Sequence, residues 1–295
     1  FKTWRALFNQ YDPPRVAVAE AWAKPENIHK YASPDELGQA FNFDLLLAEF
    51  EAETYREIVT RNLAAATKYG SSSTWVFSNH DQVRPATRYG LPIGSNITAF
   101  KNSNGTNLPI NVERGIRASI AAQMFALALP GCTYIYQGEE LGLPEALEIP
   151  ESEIQDPQYL KNHKVDKGRD GCRVPLPWTS NGSSFGFGSG GAHLPQPAIF
   201  SQYSVEAESG REGSPLEIFR KALALRKELV APESMEWIDT GNENVLHFAR
   251  PNGWHCITNF GFTSYPIPAG LSVLHSSTAV EGDLLPGAAT IWLKG

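Results

Sequence analysis

Apolar residues recur along this chain with two different periods, and the change between them falls near residue 231. Before that point, short apolar runs alternate with longer segments in which apolar residues recur every three or four positions. The predicted strands are 16–20, 39–43, 74–77 and 132–136, and the predicted helices are 1–10, 44–68, 113–129 and 215–229. Strands separated by helices are typical of a parallel sheet with crossover connections, so the sequence predicts an α/β fold.

After residue 231 the period becomes two. Segments 245–249 and 254–260 flank Arg250-Pro251-Asn252-Gly253, which predicts a β-hairpin, and 291–293 predicts a closing strand. We therefore expect a larger domain over 1–230 and a small antiparallel β domain over 231–295. Within the first, residues 141–213 are rich in Gly, Pro and Ser, and we expect them to form a long loop over an active-site mouth.

Composition narrows the class of protein. The 295 residues are 42% hydrophobic and 19% charged, which is ordinary for a soluble globular enzyme. The net charge of -7 and the lack of a basic face argue against nucleic acid, and no apolar run reaches the ~18 residues of a membrane span. Three distant cysteines without metal-ligand spacing predict reduced thiols in a cytoplasmic protein. Because no cluster with metal-ligand spacing, phosphate-binding glycine loop or dinucleotide fingerprint occurs, we expect no metal and no cofactor.

Two predicted strands end in carboxylates. Glu20 follows a run of Val and Ala, and Trp22 lies two residues beyond it. We expect partial burial beside the indole to raise the pKa of Glu20, which would suit a proton donor at neutral pH. The alternative is a structural carboxylate bound to an Arg or to a helix N-terminus.

The second carboxylate lies in His80-Asp81, after the strand at 74–77. A carboxylate at a strand end can bind sugar hydroxyls and stabilise positive charge, and an imidazole can donate to a hydroxyl. A structural His–Asp pair is the alternative. In the long loop, Arg173 belongs to a segment with charges of both signs, and its guanidinium is a candidate for contact with hydroxyls or carboxylates.

Taken together, these segments closely resemble glycoside hydrolase family 13, the α-amylase superfamily, in its bacterial α-glucosidase and oligo-1,6-glucosidase branch. They occur in the family's order over essentially the whole chain. The matching strings are Ala19-Glu20-Ala21-Trp22, Ala40-Phe41-Asn42-Phe43-Asp44, Ser78-Asn79-His80-Asp81 with Arg84, Tyr136-Gln137-Gly138-Glu139-Glu140-Leu141-Gly142, and Gly168-Arg169-Asp170-Gly171-Cys172-Arg173 with Pro175 and Pro177-Trp178.

The resemblance implies a (β/α)₈ barrel followed by an antiparallel β domain, and retaining hydrolysis of short α-glucosides such as maltose, isomaltose or sucrose. It implies that Glu20 is the general acid/base and that Asp81 is the transition-state stabiliser. His80 would bind the glucose in the first subsite, and Arg173 would contact the glucose at the non-reducing end. The implied partner is therefore a small α-glucoside or oligosaccharide.

One segment that the family requires is missing from the 295 residues. The nucleophile is an Asp in a segment like Gly-Phe-Arg-Ile-Asp, and neither Asp12 nor Asp35 follows an apolar strand as that residue would. We therefore expect the C-terminal half of the barrel, strands five to eight, in a fragment that is inactive alone. Any structural metal site of the full enzyme would lie in the N-terminal part.

Two other functions fit the same residues. One is a transglycosylase or isomerase of the same fold, of the trehalose synthase or sucrose isomerase type. The other is a non-catalytic member of the superfamily that acts as a binding or partner subunit. The products formed from maltose or sucrose would distinguish the enzymes, and the coding sequence upstream would show whether the nucleophile exists.

Overall fold

The structure is a computed structural model, and it describes residues 1–229 and 232–295. The helices are α1 (Lys2–Phe8), α2 (Pro25–Ala32), α3 (Asp44–Leu47), α4 (Ala52–Tyr69), α5 (Pro85–Arg88), α6 (Ile97–Asn102), α7 (Val112–Ala128), α8 (Pro157–Lys161), α9 (Asp170–Arg173), α10 (Val205–Glu208) and α11 (Pro215–Glu228). The strands are β1 (Ala17–Ala19), β2 (Gly38–Ala40), β3 (Thr74–Val76), β4 (Cys132–Tyr134), β5 (Glu236–Ile238), β6 (Val245–Arg250), β7 (Trp254–Asn259), β8 (Tyr265–Pro266), β9 (Ser272–Ser276), β10 (Leu284–Leu285) and β11 (Ala289–Lys294).

The four predicted strands of the first part are all present with three residues each, and β2 begins one residue before the predicted segment 39–43 and ends at Ala40. Strand β1 pairs in parallel with β2, and β3 pairs in parallel with β4. The hydroxyl of Thr74 joins the two pairs, because it donates to the Ala40 carbonyl and accepts from the Asn42 backbone N–H at 3.2 Å. The parallel pairing confirms that helices carry the chain from one strand to the next.

The predicted helix over 44–68 is wrong in one respect, because the chain leaves the helix between α3 and α4. At this break Phe50 is 6% exposed, and its ring packs against Tyr55, Tyr89 and Phe260 at 4.5–5.9 Å between centroids. The break allows the Phe50 side chain to pack in the core, whereas a continuous helix would place it in a different direction. Helix α4 ends at Gly70 in the left-handed conformation, as a glycine after the last turn predicts.

Helix α2 lies between β1 and β2 and had no clear periodic signal. Pro25 stands at its first turn, a position at which proline is favoured because its missing N–H has no helical partner there. The long loop also contains short helices, α8 to α10, where a loop without regular structure was expected. The predicted boundary between residues 230 and 231 lies outside the described residues.

The C-terminal part is a five-stranded antiparallel sheet in the order β5-β6-β7-β11-β9. The predicted hairpin is confirmed, with Asn252 and Gly253 both at φ of 70° in its turn, a conformation that these residue types tolerate. The last predicted strand is confirmed as β11, which lies inside the sheet between β7 and β9.

This sheet packs against α7 and shares one hydrophobic core with it. Trp292 is fully buried, and its indole N–H donates to the Met124 carbonyl at 3.1 Å. The hydroxyl of Thr290 donates to the Ala121 carbonyl at 2.8 Å. Apolar burial and satisfied polar groups therefore occur together along this contact, as a well-packed interior requires.

Two arginines bind the carbonyl oxygens at the C-terminal end of α7. Arg226 donates to the carbonyls of Leu127 and Gly131, the latter at 2.7 Å, and Arg250 donates to the Ala128 carbonyl at 2.8 Å. The last carbonyls of a helix have no intrahelical partner and carry the negative end of its dipole. These guanidinium groups therefore satisfy the helix end from two other elements, α11 and β6.

Three carboxylates are buried near the two ends of the long loop, Glu139 and Glu145 near its start and Glu208 near its end. Glu139 is 7% exposed, its Oε2 accepts from the Tyr136 backbone N–H at 2.7 Å, and burial raises its pKa to about 8. Burial likewise raises the pKa of Glu145 and of Glu208 to about 7. These three side chains therefore hold their protons more tightly in the folded protein than in the unfolded chain.

This burial predicts that the protein becomes less stable as pH rises. The contribution of Glu139 is complete below its unfolded pKa near 4.5, and it is lost as pH rises through about 8, because only the unfolded state releases the proton. Between pH 6.5 and 8 the free energy of unfolding should fall by about 2 kcal/mol for this group alone.

Urea unfolding of the wild type and of Glu139→Gln at the two pH values measures this effect. The substitution should reduce the pH dependence, whereas Glu113→Gln should not, because Glu113 is 86% exposed and the buried carboxylates remain in place. An unchanged pH dependence in Glu139→Gln would contradict the prediction.

The described residues contain no helix of the length and apolar character that a membrane span requires.

Candidate active site

Glu20 is the first residue after β1, and Ala19 before it is buried among other small apolar side chains. The expected burial of Glu20 is wrong, because its side chain is exposed. Trp22 does not cover it: the indole is 60% exposed and stacks on Phe43 at 4.3 Å between ring centroids. Among the described residues β1 has a strand partner on only one side, β2, which leaves its other edge unpaired.

His80 and Asp81 follow β3, and the fold brings them to Glu20. One ligand atom from each of these three side chains lies within 4.8 Å of the other two. The backbone N–H of Asp81 donates to Asn79 Oδ1 at 2.9 Å, which turns the chain sharply after the strand. The predicted convergence of two strand-end carboxylates at one site is therefore present.

Two arginines from the long loop bind Asp81. Arg173 Nη2 and Arg169 Nη1 each donate to Asp81 Oδ1 at 3.0 Å, and Arg173 Nε donates to the His80 carbonyl at 2.7 Å. His80 Nε2 lies 3.5 Å from the same oxygen. Arg173 thus lies at the site as the sequence predicts, and Arg169 is an additional residue there.

Arg84 holds three loops together beneath the site. It is 1% exposed, and it donates from Nη1 to the Gln137 carbonyl at 2.7 Å and from Nη2 to the Cys172 carbonyl at 3.0 Å. The Tyr136 hydroxyl donates to the same Cys172 carbonyl at 3.0 Å, and the Arg84 guanidinium lies over the Tyr136 ring. Because these contacts fix residues 172 and 173, they set the position from which Arg173 reaches Asp81.

Glycine is required at two positions where the backbone closely approaches a side chain near the site, Gly138 before the long loop and Gly171 within it. A Cβ on Gly171 would lie 2.3 Å from Glu145 Oε1, and one on Gly138 would lie 2.6 Å from Arg84 Nη1. Real Cβ atoms do not approach other atoms so closely, so these glycines allow the loop to pack against the base of the site.

The sequence missed Asp156, which binds Arg169. Arg169 donates from Nε to Asp156 Oδ2 at 2.7 Å and from Nη2 to Asp156 Oδ1 at 3.0 Å. Asp156 precedes Pro157, which signals the start of a helix, but nothing in the sequence pattern indicates its partner. Arg169 had a signal, since it lies in the same charged segment as Arg173.

The chain is similar to a known protein family and to several known proteins. Residues 1–233 match the family model described as the α-amylase catalytic domain. A probable α-glucosidase of Rhizobium meliloti (strain 1021) is 29% identical over 258 residues, which are 85% of this chain and 42% of that protein. Trehalose-6-phosphate hydrolase of Bacillus subtilis (strain 168) is 25% identical over 280 residues, 83% of this chain and 45% of that protein.

The chain is also similar in structure to a solved protein. The crystal structure of an α-glucosyl transfer enzyme, XgtA, superposes with a TM-score of 0.79 at 29% identity, over 100% of this chain and 53% of that one. The chain spans less than half the length of the two relatives above. The match over 1–233 establishes that this chain belongs to the α-amylase catalytic-domain family, glycoside hydrolase family 13.

Proposed function

We propose that this chain supplies the acid/base half of a retaining α-glucosidase site that acts on short α-glucosides. The observation that carries the proposal is the approach of Glu20, His80 and Asp81 to within 4.8 Å at the ends of two strands. The names of the relatives, which include a probable α-glucosidase and a probable oligo-1,6-glucosidase of Bacillus subtilis (strain 168), support an α-glucosidic substrate.

The position of each side chain suits its role. Glu20 is exposed at the end of β1, where it can protonate the leaving oxygen and then activate water after the aglycone departs. Asp81 stabilises the positive charge that develops on the sugar ring, and its Oδ2 has no hydrogen-bond donor among the described residues, which leaves it for a sugar hydroxyl. His80 and Arg173 bind hydroxyls of the glucose.

The nucleophile comes, in this proposal, from a part of the protein outside these 295 residues. In this proposal residues 1–230 form the second half of a (β/α)₈ barrel, with β1 to β4 as its strands, and residues 231–295 form a separate antiparallel β domain. Two observations support this arrangement. Among the described residues one edge of β1 has no strand partner. Helix α1 has no buried residue, and the apolar side chains of Phe1, Trp4 and Leu7 are each more than half exposed. Such an apolar surface is typical of one that another element covers.

The three side chains could in principle coordinate a cation, because their ligand atoms are close together. We assign them to a sugar instead. Two guanidinium groups already contact Asp81 Oδ1 at 3.0 Å, and they would repel a metal ion placed at the same oxygen. No metal and no cofactor enter the proposed reaction.

Hydrolysis of p-nitrophenyl α-glucoside tests the proposal. The purified 295-residue chain should give no steady turnover, whereas the product of the complete reading frame should release glucose whose first-formed anomer is α, as NMR can record. Asp81→Asn should lower that turnover strongly, since the charge on the ring loses its counter-charge. A β anomer would overturn the retaining mechanism, and steady turnover by the chain alone that Glu20→Gln abolishes would overturn the missing nucleophile.

A second candidate is transfer of glucose to another acceptor on the same site. It is favoured by the structural similarity to the α-glucosyl transfer enzyme, at 29% identity over the whole of this chain. Both reactions use the same acid/base and differ in whether water or an alcohol accepts the sugar. Incubation with maltose at high concentration, followed by chromatography, distinguishes them, because only transfer yields products longer than maltose.

A further inference from the structure

Asp156 does not touch the three side chains Glu20, His80 and Asp81, yet its carboxylate accepts four hydrogen bonds. Its side chain is fully buried. Both oxygens bind Arg169, through Nε at 2.7 Å, Nη2 at 3.0 Å and the backbone N–H at 2.8 Å. A carboxylate that receives two parallel donors from one guanidinium fixes the plane of that group as well as its distance.

The segment that carries Asp156 is itself fixed. Asp170 Oδ2 accepts from the backbone N–H groups of Gln155 at 2.5 Å and of Asp156 at 3.0 Å. Asp156 Oδ1 also accepts from the Gln158 backbone N–H at 3.0 Å, at the start of α8. Gly168 passes so close that a Cβ there would lie 2.7 Å from Asp156 Oδ2. Segments 155–156 and 168–170 are therefore bound to each other in both directions.

Arg169 connects this buried pair to the site. Its remaining terminal nitrogen, Nη1, donates to Asp81 Oδ1 at 3.0 Å. The hydrogen bonds from Arg169 hold the pKa of Asp156 well below its usual range, so Asp156 keeps its charge while it holds the guanidinium. Arg169 thus connects two carboxylates. Asp156 is buried and Asp81 is 24% exposed, so Asp156 holds the guanidinium in place and the guanidinium positions Asp81.

We infer that Asp156 is a positioning residue, which holds the Arg169 guanidinium so that Asp81 presents one oxygen to the arginines and the other to the sugar. The inference rests on the proposed role of Asp81. It makes the long loop part of the catalytic machinery, because residues 155–170 determine the orientation of a carboxylate that follows β3.

Asp156→Asn tests the inference in the product of the complete reading frame. Asparagine has the same shape and can still accept from Gln158 at the helix start, but its amide donors face the donors of Arg169. We expect kcat for an α-glucoside to fall by about 10²-fold, since misplacement of a reacting group by about 1 Å has an effect of this size, with a smaller change in KM. Glu151→Gln is the matched control, because it removes a carboxylate of the same loop that pairs with Lys164, and the Glu151 side chain is 61% exposed.

A double-mutant cycle separates positioning from general stabilisation of the loop. If Asp156 acts through Arg169, Asp156→Asn should change kcat by less than about 3-fold in an Arg169→Met background, because the group that it positions is gone. Losses that multiply, about 10²-fold again in the double variant, would overturn the inference. Thermal unfolding of each variant shows whether the loop has remained folded.

A second measurement does not depend on activity. In the product of the complete reading frame, the Arg169 Nε–H signal in ¹⁵N NMR, assigned by its loss in Arg169→Lys, should shift in Asp156→Asn, together with the ¹³Cγ signal of Asp81. Glu151→Gln should leave both unchanged. An unshifted Asp81 signal would overturn the inference even if the enzyme is active, whereas shifted signals in an inactive protein would overturn only the proposed function.

Discussion

Glu20→Gln should lower the hydrolysis of maltose by the product of the complete reading frame by about 10²- to 10⁴-fold, the usual contribution of a general acid/base. Maltose needs a proton on its leaving oxygen, and glutamine cannot supply it. A substrate whose leaving group departs without protonation, such as α-glucosyl fluoride, should lose much less in the step that forms the glycosyl-enzyme. The ratio of kcat/KM values for the two substrates is the measurement.

Two controls distinguish a catalytic role of Glu20 from a structural one. Glu26→Gln removes an exposed carboxylate a few residues away on α2 and should leave both rates unchanged. Azide should restore turnover of the fluoride by Glu20→Gln, because this nucleophile attacks the glycosyl-enzyme without general base assistance. An equal loss for both substrates would instead show that Glu20 maintains the structure of the site.

Trp292→Ala should lower the free energy of unfolding by about 3–5 kcal/mol, the usual effect of removing a large buried aromatic side chain. Trp292 is fully buried where β11 meets α7, so its loss opens a cavity between the two parts of the chain and removes the indole hydrogen bond to the Met124 carbonyl. Guanidinium chloride unfolding measures the change, and Trp178→Ala is the control because that side chain is 49% exposed.

Hydrogen exchange then distinguishes one cooperative unit from two. If α7 and the C-terminal sheet unfold together, Trp292→Ala should lower the protection of amides in both by the same amount. Loss of protection in the sheet alone, with α7 unchanged, would show that residues 232–295 unfold independently of the helix on which they pack.

The periodic part of the fold could be predicted from the sequence, and the contact-dependent part could not. The strands and long helices follow from the spacing of apolar residues, and the approach of Glu20 to Asp81 follows from parallel strands that end at one edge. The break before α4 depends on contact between Phe50 and Phe260, which are 210 positions apart. Local propensity contains no information on such a contact.

At the candidate site, too, the features that depend on tertiary contacts could not be predicted from the sequence. The exposure of Glu20 is a property of whatever surrounds the end of β1, which the run of Val and Ala before it does not reveal. Asp156 pairs with Arg169 thirteen residues later within an irregular loop, where no period relates the two. The predicted roles of Glu20, His80, Asp81 and Arg173, the absence of a cofactor, and the cytoplasmic location stay predictions.

The arginines at the end of α7 have a consequence for the response of the protein to salt. Arg226 and Arg250 contact carbonyl oxygens and not carboxylates; Arg250 is buried and Arg226 is half-buried. Mobile ions screen charges that water surrounds far more than charges inside the protein. The junction between α7 and the C-terminal sheet should therefore tolerate changes in ionic strength that would loosen exposed pairs such as Lys164 and Glu151.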